Sequence, residues 1–153
     1  MLDTKPRFGI LEIDGKGDPR MATLTIKKAT VDEVYREAYA AGLKAGHEVQ
    51  VTPMIVGTET SPFSNIIDET KQTYFVEGGV CGFAWVKIRP ARGKFVQFLK
   101  DKDLGYQNSY EGGYDLSCRE FGQSLTRKEA FVQAFAKVLR EYGIDAYGQS
   151  RID

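Results

Sequence analysis

Six apolar or small residues, Phe131, Ala134, Phe135, Val138, Leu139 and Tyr142, recur at the spacing of one helical face. No other pattern in the chain limits its fold so strongly. Thr126-Arg-Lys-Glu129 ahead of the stripe has the form of a capping box, and Gly143 after it suits a helix stop. A helix is therefore expected from Arg127 to Tyr142. Its single apolar stripe has to be buried against another layer.

The flanks say what that layer is. Tyr114 to Phe121 alternate, with Tyr114, Leu116, Cys118 and Glu120 on one side, and Ile144 to Ile152 supply a second extended run. Upstream, Val80 to Ile88 read as a strand. Pro90 is placed to open a helix reaching about Lys102, with Phe95, Phe98 and Leu99 inward. Residues 106–113, rich in Gly, Ser and Tyr, read as a loop. The C-terminal half is thus expected to be β-α-β-α-β. The fold class is α+β, a mixed or antiparallel sheet with two or three helices packed on it, ferredoxin-like or a related sandwich.

The N-terminal half is less regular. Residues 7–13 and 22–28 can pair as a hairpin around the turn-forming string Asp14-Gly-Lys-Gly-Asp-Pro19. Met21-Ala-Thr has the look of a translation start, so residues 1–21 read as an appended arm and 22–153 as a single domain. Thr30-Val-Asp-Glu33 is another capping box, and its helix is expected to run to about Ala45 and stop at Gly46. Val49–Val56 read as a strand broken at Pro53, 57–71 as a long irregular loop with a helical turn near Asn65. Thr73–Glu77 should form a hairpin with Val80–Ile88.

With 21 Lys+Arg against 21 Asp+Glu in 153 residues, the chain lacks the basic excess of a general nucleic-acid or membrane coat. No apolar run is long enough to span a bilayer, and Met1–Pro6 carries no apolar signal core, so no membrane partner and a cytoplasmic location with reduced cysteines are expected. One histidine and two distant cysteines give no metal-site spacing, and neither metal nor cofactor is expected.

The sharpest local cluster is cationic. Lys87, Arg89, Arg92 and Lys94 fall at an expected strand-to-helix junction, where free N–H groups and the positive end of the helix dipole favour an anion. Acidic residues are the usual choice in a first helical turn, so cations there stand out. The competing reading is a solvated helix start. Trp85 or Tyr106 could add a stacking surface. Tyr110 and Tyr114, beside Gly112-Gly113, form an aromatic loop suited to contact, or simply a connector over the sheet edge. Arg151, on the polar final strand, completes the candidate ligand-binding set of Arg89, Arg92, Lys94, Tyr110, Tyr114 and Arg151. A different reading makes Cys81 a nucleophile with His47 as its base. The plainer one makes Cys81 a small buried strand residue, and His47 a cation at a helix end.

Val80-Cys-Gly-Phe-Ala-Trp-Val86, Gly122-Gln-Ser124, Arg127-Lys-Glu-Ala130, Gly143-Ile-Asp-Ala-Tyr147 and Ser150-Arg-Ile-Asp153, with Thr52-Pro-Met-Ile-Val56, resemble uncharacterised bacteriophage or prophage proteins. The resemblance spans about residues 22–153 and carries no known activity. It implies a phage origin, and the cytoplasm of an infected cell or a virion as location. The leading expectation is an accessory binding protein without catalysis, taking an anionic ligand such as a nucleotide or short nucleic acid, or a macromolecular partner. The alternatives are a small enzyme built on Cys81, and a virion or assembly component, for which a homo-oligomer is expected.

Overall fold

The computed structural model describes residues 28–153 and, at the backbone, two short strands at 10–12 and 23–25. The elements run β1 (Ile10–Glu12), β2 (Thr23–Thr25), α1 (Val31–Glu48), β3 (Met54–Val56), β4 (Tyr74–Val76), β5 (Gly82–Arg89), α2 (Lys94–Asp101), β6 (Tyr106–Gln107), β7 (Tyr114–Ser117), α3 (Leu125–Glu141) and β8 (Asp145–Ile152). The class is α+β. β1 and β2 pair antiparallel, Leu11 opposite Leu24, as expected of the N-terminal hairpin. The rest of the arm, including the 14–19 turn, lies outside the described residues.

The main sheet has four strands in the order β6-β7-β5-β8, all neighbours antiparallel. The C-terminal half is therefore β-α-β-β-α-β rather than β-α-β-α-β, because Tyr106 and Gln107, expected in a loop, pair with Asp115 and Tyr114. Each helical crossover skips one strand, which is how neighbours come to be antiparallel. The expected hairpin of 73–77 with 80–88 does not form. β4 pairs instead with β3 in a separate ribbon, Ile55 opposite Phe75, and β5 becomes central between β7 and β8. In the connection from β3 to β4, Glu59 bridges Ile67, and no helical turn forms near Asn65.

The inward residues of β5, Ala84, Val86 and Ile88, pack with Ala146 of β8 against Phe131, Val132, Phe135 and Leu139 of α3. Phe95, Val96 and Leu99 of α2 join the same core. The Thr30–Glu33 capping box forms as expected. Gly46 does not stop α1. Val34, Ala38, Gly42 and Gly46 form one buried stripe at a spacing of four. A Cβ at Gly46 would lie 2.3 Å from the Phe121 ring, and one at Gly42 2.7 Å from the Phe131 ring. Both glycines are there so that α1 can approach the aromatic residues of the α3 side.

Three other helix and strand ends differ from expectation. α2 begins at Lys94, not Pro90, because Gly93 sits at φ +107°, which no helix includes. β7 ends at Ser117 because the chain turns at Phe121 and Gly122, both at positive φ. The cap of α3 is Ser124, whose hydroxyl accepts from the Arg127 N–H, and Thr126 lies inside the first turn. Among the described residues, no helix is long and apolar enough to cross a membrane.

Candidate ligand-binding face

Among the described residues, the helices pack on one side of the main sheet and alternation along β5 and β8 turns every second residue to the other. Phe83, Trp85, Lys87 and Arg89 point outward from β5, opposite Arg151, Gln149, Tyr147 and Asp145 of β8. This face is not uniformly open. Lys87 is fully buried, with Nζ 3.0 Å from Asp115 Oδ1 and 3.3 Å from Glu111 Oε2. The Asp115 contact is an ion pair whose angle falls short of a directed hydrogen bond, since Oδ1 accepts none. Lys87 also donates to the Gly112 carbonyl at 3.0 Å, and Arg89 to the Glu111 carbonyl at 3.3 Å. Asn108 completes the fastening by donating to Asp115 Oδ2 and accepting from the Tyr110 and Glu111 N–H groups. The 108–113 loop is thus tied down over one part of the sheet. Burial pulls the Lys87 ammonium down, but the nearby Asp115 and Glu111 carboxylates outweigh it and hold its pKa above the usual lysine value.

Lys87 is therefore not available to a ligand, although it counts among the four junction cations in sequence. The other three are brought together. Arg89, Arg92 and Lys94 line one depression of about 310 Å³ at the start of α2, with Phe95 and Val96 among its apolar residues and Asp145 as its one carboxylate. Among the described residues no carboxylate pairs with Arg89, Arg92 or Lys94. Gly93 caps α2 without a side-chain hydrogen bond, and no acidic residue occupies the first turn. The first N–H groups of α2 are thus left to solvent or to an anion.

Beyond the depression the face turns aromatic. Arg89 lies over the Tyr147 ring at 5.9 Å. Trp85 Nε1 donates to Gln149 Oε1 at 2.9 Å, which fixes the indole across β8. Phe83 is 40% exposed, with Arg151 and Lys128 over its ring at 5.2 and 5.6 Å. Arg151 belongs to this face but not to the junction. It pairs with Phe83, six residues from Arg89 along β5, or about 20 Å at strand rise.

The two tyrosines separate. Tyr110 is 96% exposed at the tip of the fastened loop. Tyr114 is buried on the helix side of the sheet, its hydroxyl donating to the Leu104 carbonyl, so it offers no contact surface. Phe83, Tyr147 and Gln149 are not in the candidate set read from the sequence, although Tyr147 and Gln149 lie on the polar final strand singled out there. Their signal was the alternation of both strands, legible only once β5 and β8 are known to be neighbours.

Cys81 and His47 line one open cleft of about 670 Å³ with Ser124 and Arg127. Cys81 is half-buried, its backbone bridged to Ser124, the cap of α3. No hydrogen bond joins it to His47, whose ring packs edge-on against Phe121 at 5.1 Å. Two polar groups of the cleft already have structural roles. Arg127 donates to the Gly46 and His47 carbonyls at the end of α1, and the Ser124 hydroxyl to the Gly78 carbonyl. Among the described residues no group of three His, Cys, Asp or Glu could hold a metal. Comparison with protein-family models, with curated proteins and with solved structures found no match.

Proposed function

We propose that the helix-free face binds a nucleotide or a short single-stranded nucleic acid, as a non-catalytic accessory protein. One observation carries the reading: three cations unpaired by carboxylates among the described residues converge on a helix start without a side-chain cap, at one end of a row of outward aromatic residues. A phosphate suits the N–H groups of α2 with Arg92 and Lys94. The bases suit Tyr147, Trp85 and Phe83, and Arg151 meets the backbone at the far end. A flat sheet favours unpaired bases, because every base has a face to stack and a duplex hides it. Zero net charge fits a local site better than a general coat. Together with the resemblance to bacteriophage proteins, this is a phage-derived protein acting in the host-cell cytoplasm.

Trp85 is the only tryptophan, so its fluorescence reports the face directly. Titration with short oligothymidylate should quench it. Affinity should fall with salt at a log–log slope near −1.4, about −0.7 for each of two phosphates neutralised, one at Arg92 and Lys94 and one at Arg151. Arg92→Ala/Lys94→Ala should bring that slope near −0.7 and weaken binding about tenfold or more. Binding indifferent to salt, or unchanged Trp85 emission on saturation, would count against the reading.

A further inference from the structure

A second cavity, of about 380 Å³, opens on the opposite, helix-covered side of the sheet. Tyr35 and Tyr39 of α1, Phe131 and Phe135 of α3 and Leu116 of β7 help to line it. The rings are held by one another: Tyr35 meets Phe135 at 5.9 Å and 74°, and Tyr39 meets Phe131 at 5.6 Å and 81°. The size is that of a small-molecule pocket, and aromatic side chains share its lining with Asp103, Ser117, Arg119 and Glu120.

One of those polar groups is charged and lacks a counterion. Glu120, half-buried in the connection from β7 to α3, accepts a hydrogen bond from the Tyr39 hydroxyl. Among the described residues no lysine, arginine or histidine pairs with it. Arg119 lines the same cavity without forming that pair, and Asp103 adds a second carboxylate. The Glu120 hydrogen bond, then burial, push the Tyr39 hydroxyl up to about 12, while burial, then the Glu120 charge, raise that of Tyr35. At neutral pH both tyrosines are therefore uncharged, and their rings line a cavity that also holds the Glu120 and Asp103 carboxylates. Aromatic residues with two carboxylates, Glu120 and Asp103, against one arginine leave a net negative charge that complements a positively charged guest of modest size, which gains ring attraction and ion pairing at once. An anion or a purely apolar molecule would leave Glu120 desolvated and unpaired.

We infer that this cavity binds a small organic monocation, its ammonium group against Glu120 and its body among the four rings. The site is independent of the nucleic-acid reading. It lies on the other side of the sheet and selects the opposite charge.

The test compares choline with neohexanol, its uncharged carbon isostere, in titrations of the full chain followed by calorimetry and by the Tyr35 and Tyr39 ring resonances. Choline should bind and shift those resonances, with neohexanol weaker by about tenfold or more. Glu120→Gln, nearly the same in shape, should weaken choline by about tenfold and bring the two ligands together. Tyr39→Phe keeps the carboxylate and the ring, and should retain most of the choline affinity. Equal affinity for the two ligands, no binding of either, or a folded Glu120→Gln chain with unchanged choline affinity each overturns the inference. If Glu120→Gln does not fold, the two ligands on the unaltered chain still decide it.

Discussion

The two faces of the main sheet are made from alternate residues of the same strands, and they have almost nothing in common. Toward the helices, β5 presents Ala84, Val86 and Ile88, all buried. Away from them it presents Phe83, Trp85, Lys87 and Arg89, and β8 adds Asp145, Tyr147, Gln149 and Arg151. The backbone is common to both, so the difference lies in what each face is asked to exclude. The covered face excludes water and draws stability from close packing. The other keeps aromatic rings and guanidinium groups where a ligand can reach them. On the proposed reading, stability and recognition divide between even and odd positions of two strands, and substitutions on the two faces should have separable effects.

The largest effect is expected on the covered face. Phe135 is fully buried and meets Tyr35 and Phe131 edge-on or tilted. Phe135→Ala should cost about 3–5 kcal/mol in chemical denaturation, from lost transfer energy and the cavity left behind. The oligonucleotide affinity of the molecules that remain folded should not change. A cost under about 1 kcal/mol would show that the division is drawn in the wrong place.

Next comes the one residue that breaks the pattern of the outward face. Lys87 points away from the helices yet is as buried as Phe135. Lys87→Ala leaves Asp115 charged and buried without its cation, and should cost about 3 kcal/mol, the lower end for a broken buried pair because Glu111 is half exposed. Hydrogen exchange should quicken in 108–113. In Lys87→Met/Asp115→Leu no charge is stranded, and most of the loss should be recovered. If the double substitution is as damaging as the single one, the loop depends on Asn108 and Asp115 rather than on the ion pair.

These two sites also mark how far the sequence could be read. The α3 stripe and the Thr30–Glu33 box are local patterns; the box forms as expected, and Phe131, Phe135, Val138 and Leu139 of the stripe are buried, joined by Val132 and Ala136 while Ala134 is only half-buried. Gly46 looked like a stop because the ring that requires it, Phe121, lies 75 residues away along the chain. Lys87 looked like a free cation because its partners, Glu111 and Asp115, come from a loop and strand whose register no local pattern specifies. The cation cluster was legible as a group of three, since Arg89, Arg92 and Lys94 are close in sequence. The aromatic row was not, since Trp85, Phe83 and Tyr147 become neighbours only through the β5–β8 pairing. Tyr114 was read as a contact residue although it opens an expected strand, because only its register with Ile88 turns the ring toward the helices.

The smallest expected stability effect lies at the far end of the outward face. Arg151 is exposed, near the end of an edge strand, and its guanidinium rests on Phe83. An exposed cation–π contact of this kind contributes about 0.5–1 kcal/mol at most. Lys128 also lies over the same ring and remains when Arg151 is removed. Arg151→Ala should therefore shift stability by no more than about 0.5 kcal/mol. Its effect on binding should be plain: a several-fold loss of oligonucleotide affinity, with the salt slope shallower by about 0.7 as one phosphate contact disappears. A single mononucleotide seated at Arg92 and Lys94 should not detect the change, because Arg151 is about 20 Å from that end. Loss of mononucleotide affinity in Arg151→Ala would mean that the ligand sits mid-face rather than along it. A stability loss above about 1 kcal/mol with binding intact would make Arg151 a brace for Phe83, and would move this end of the outward face to the structural side of the comparison.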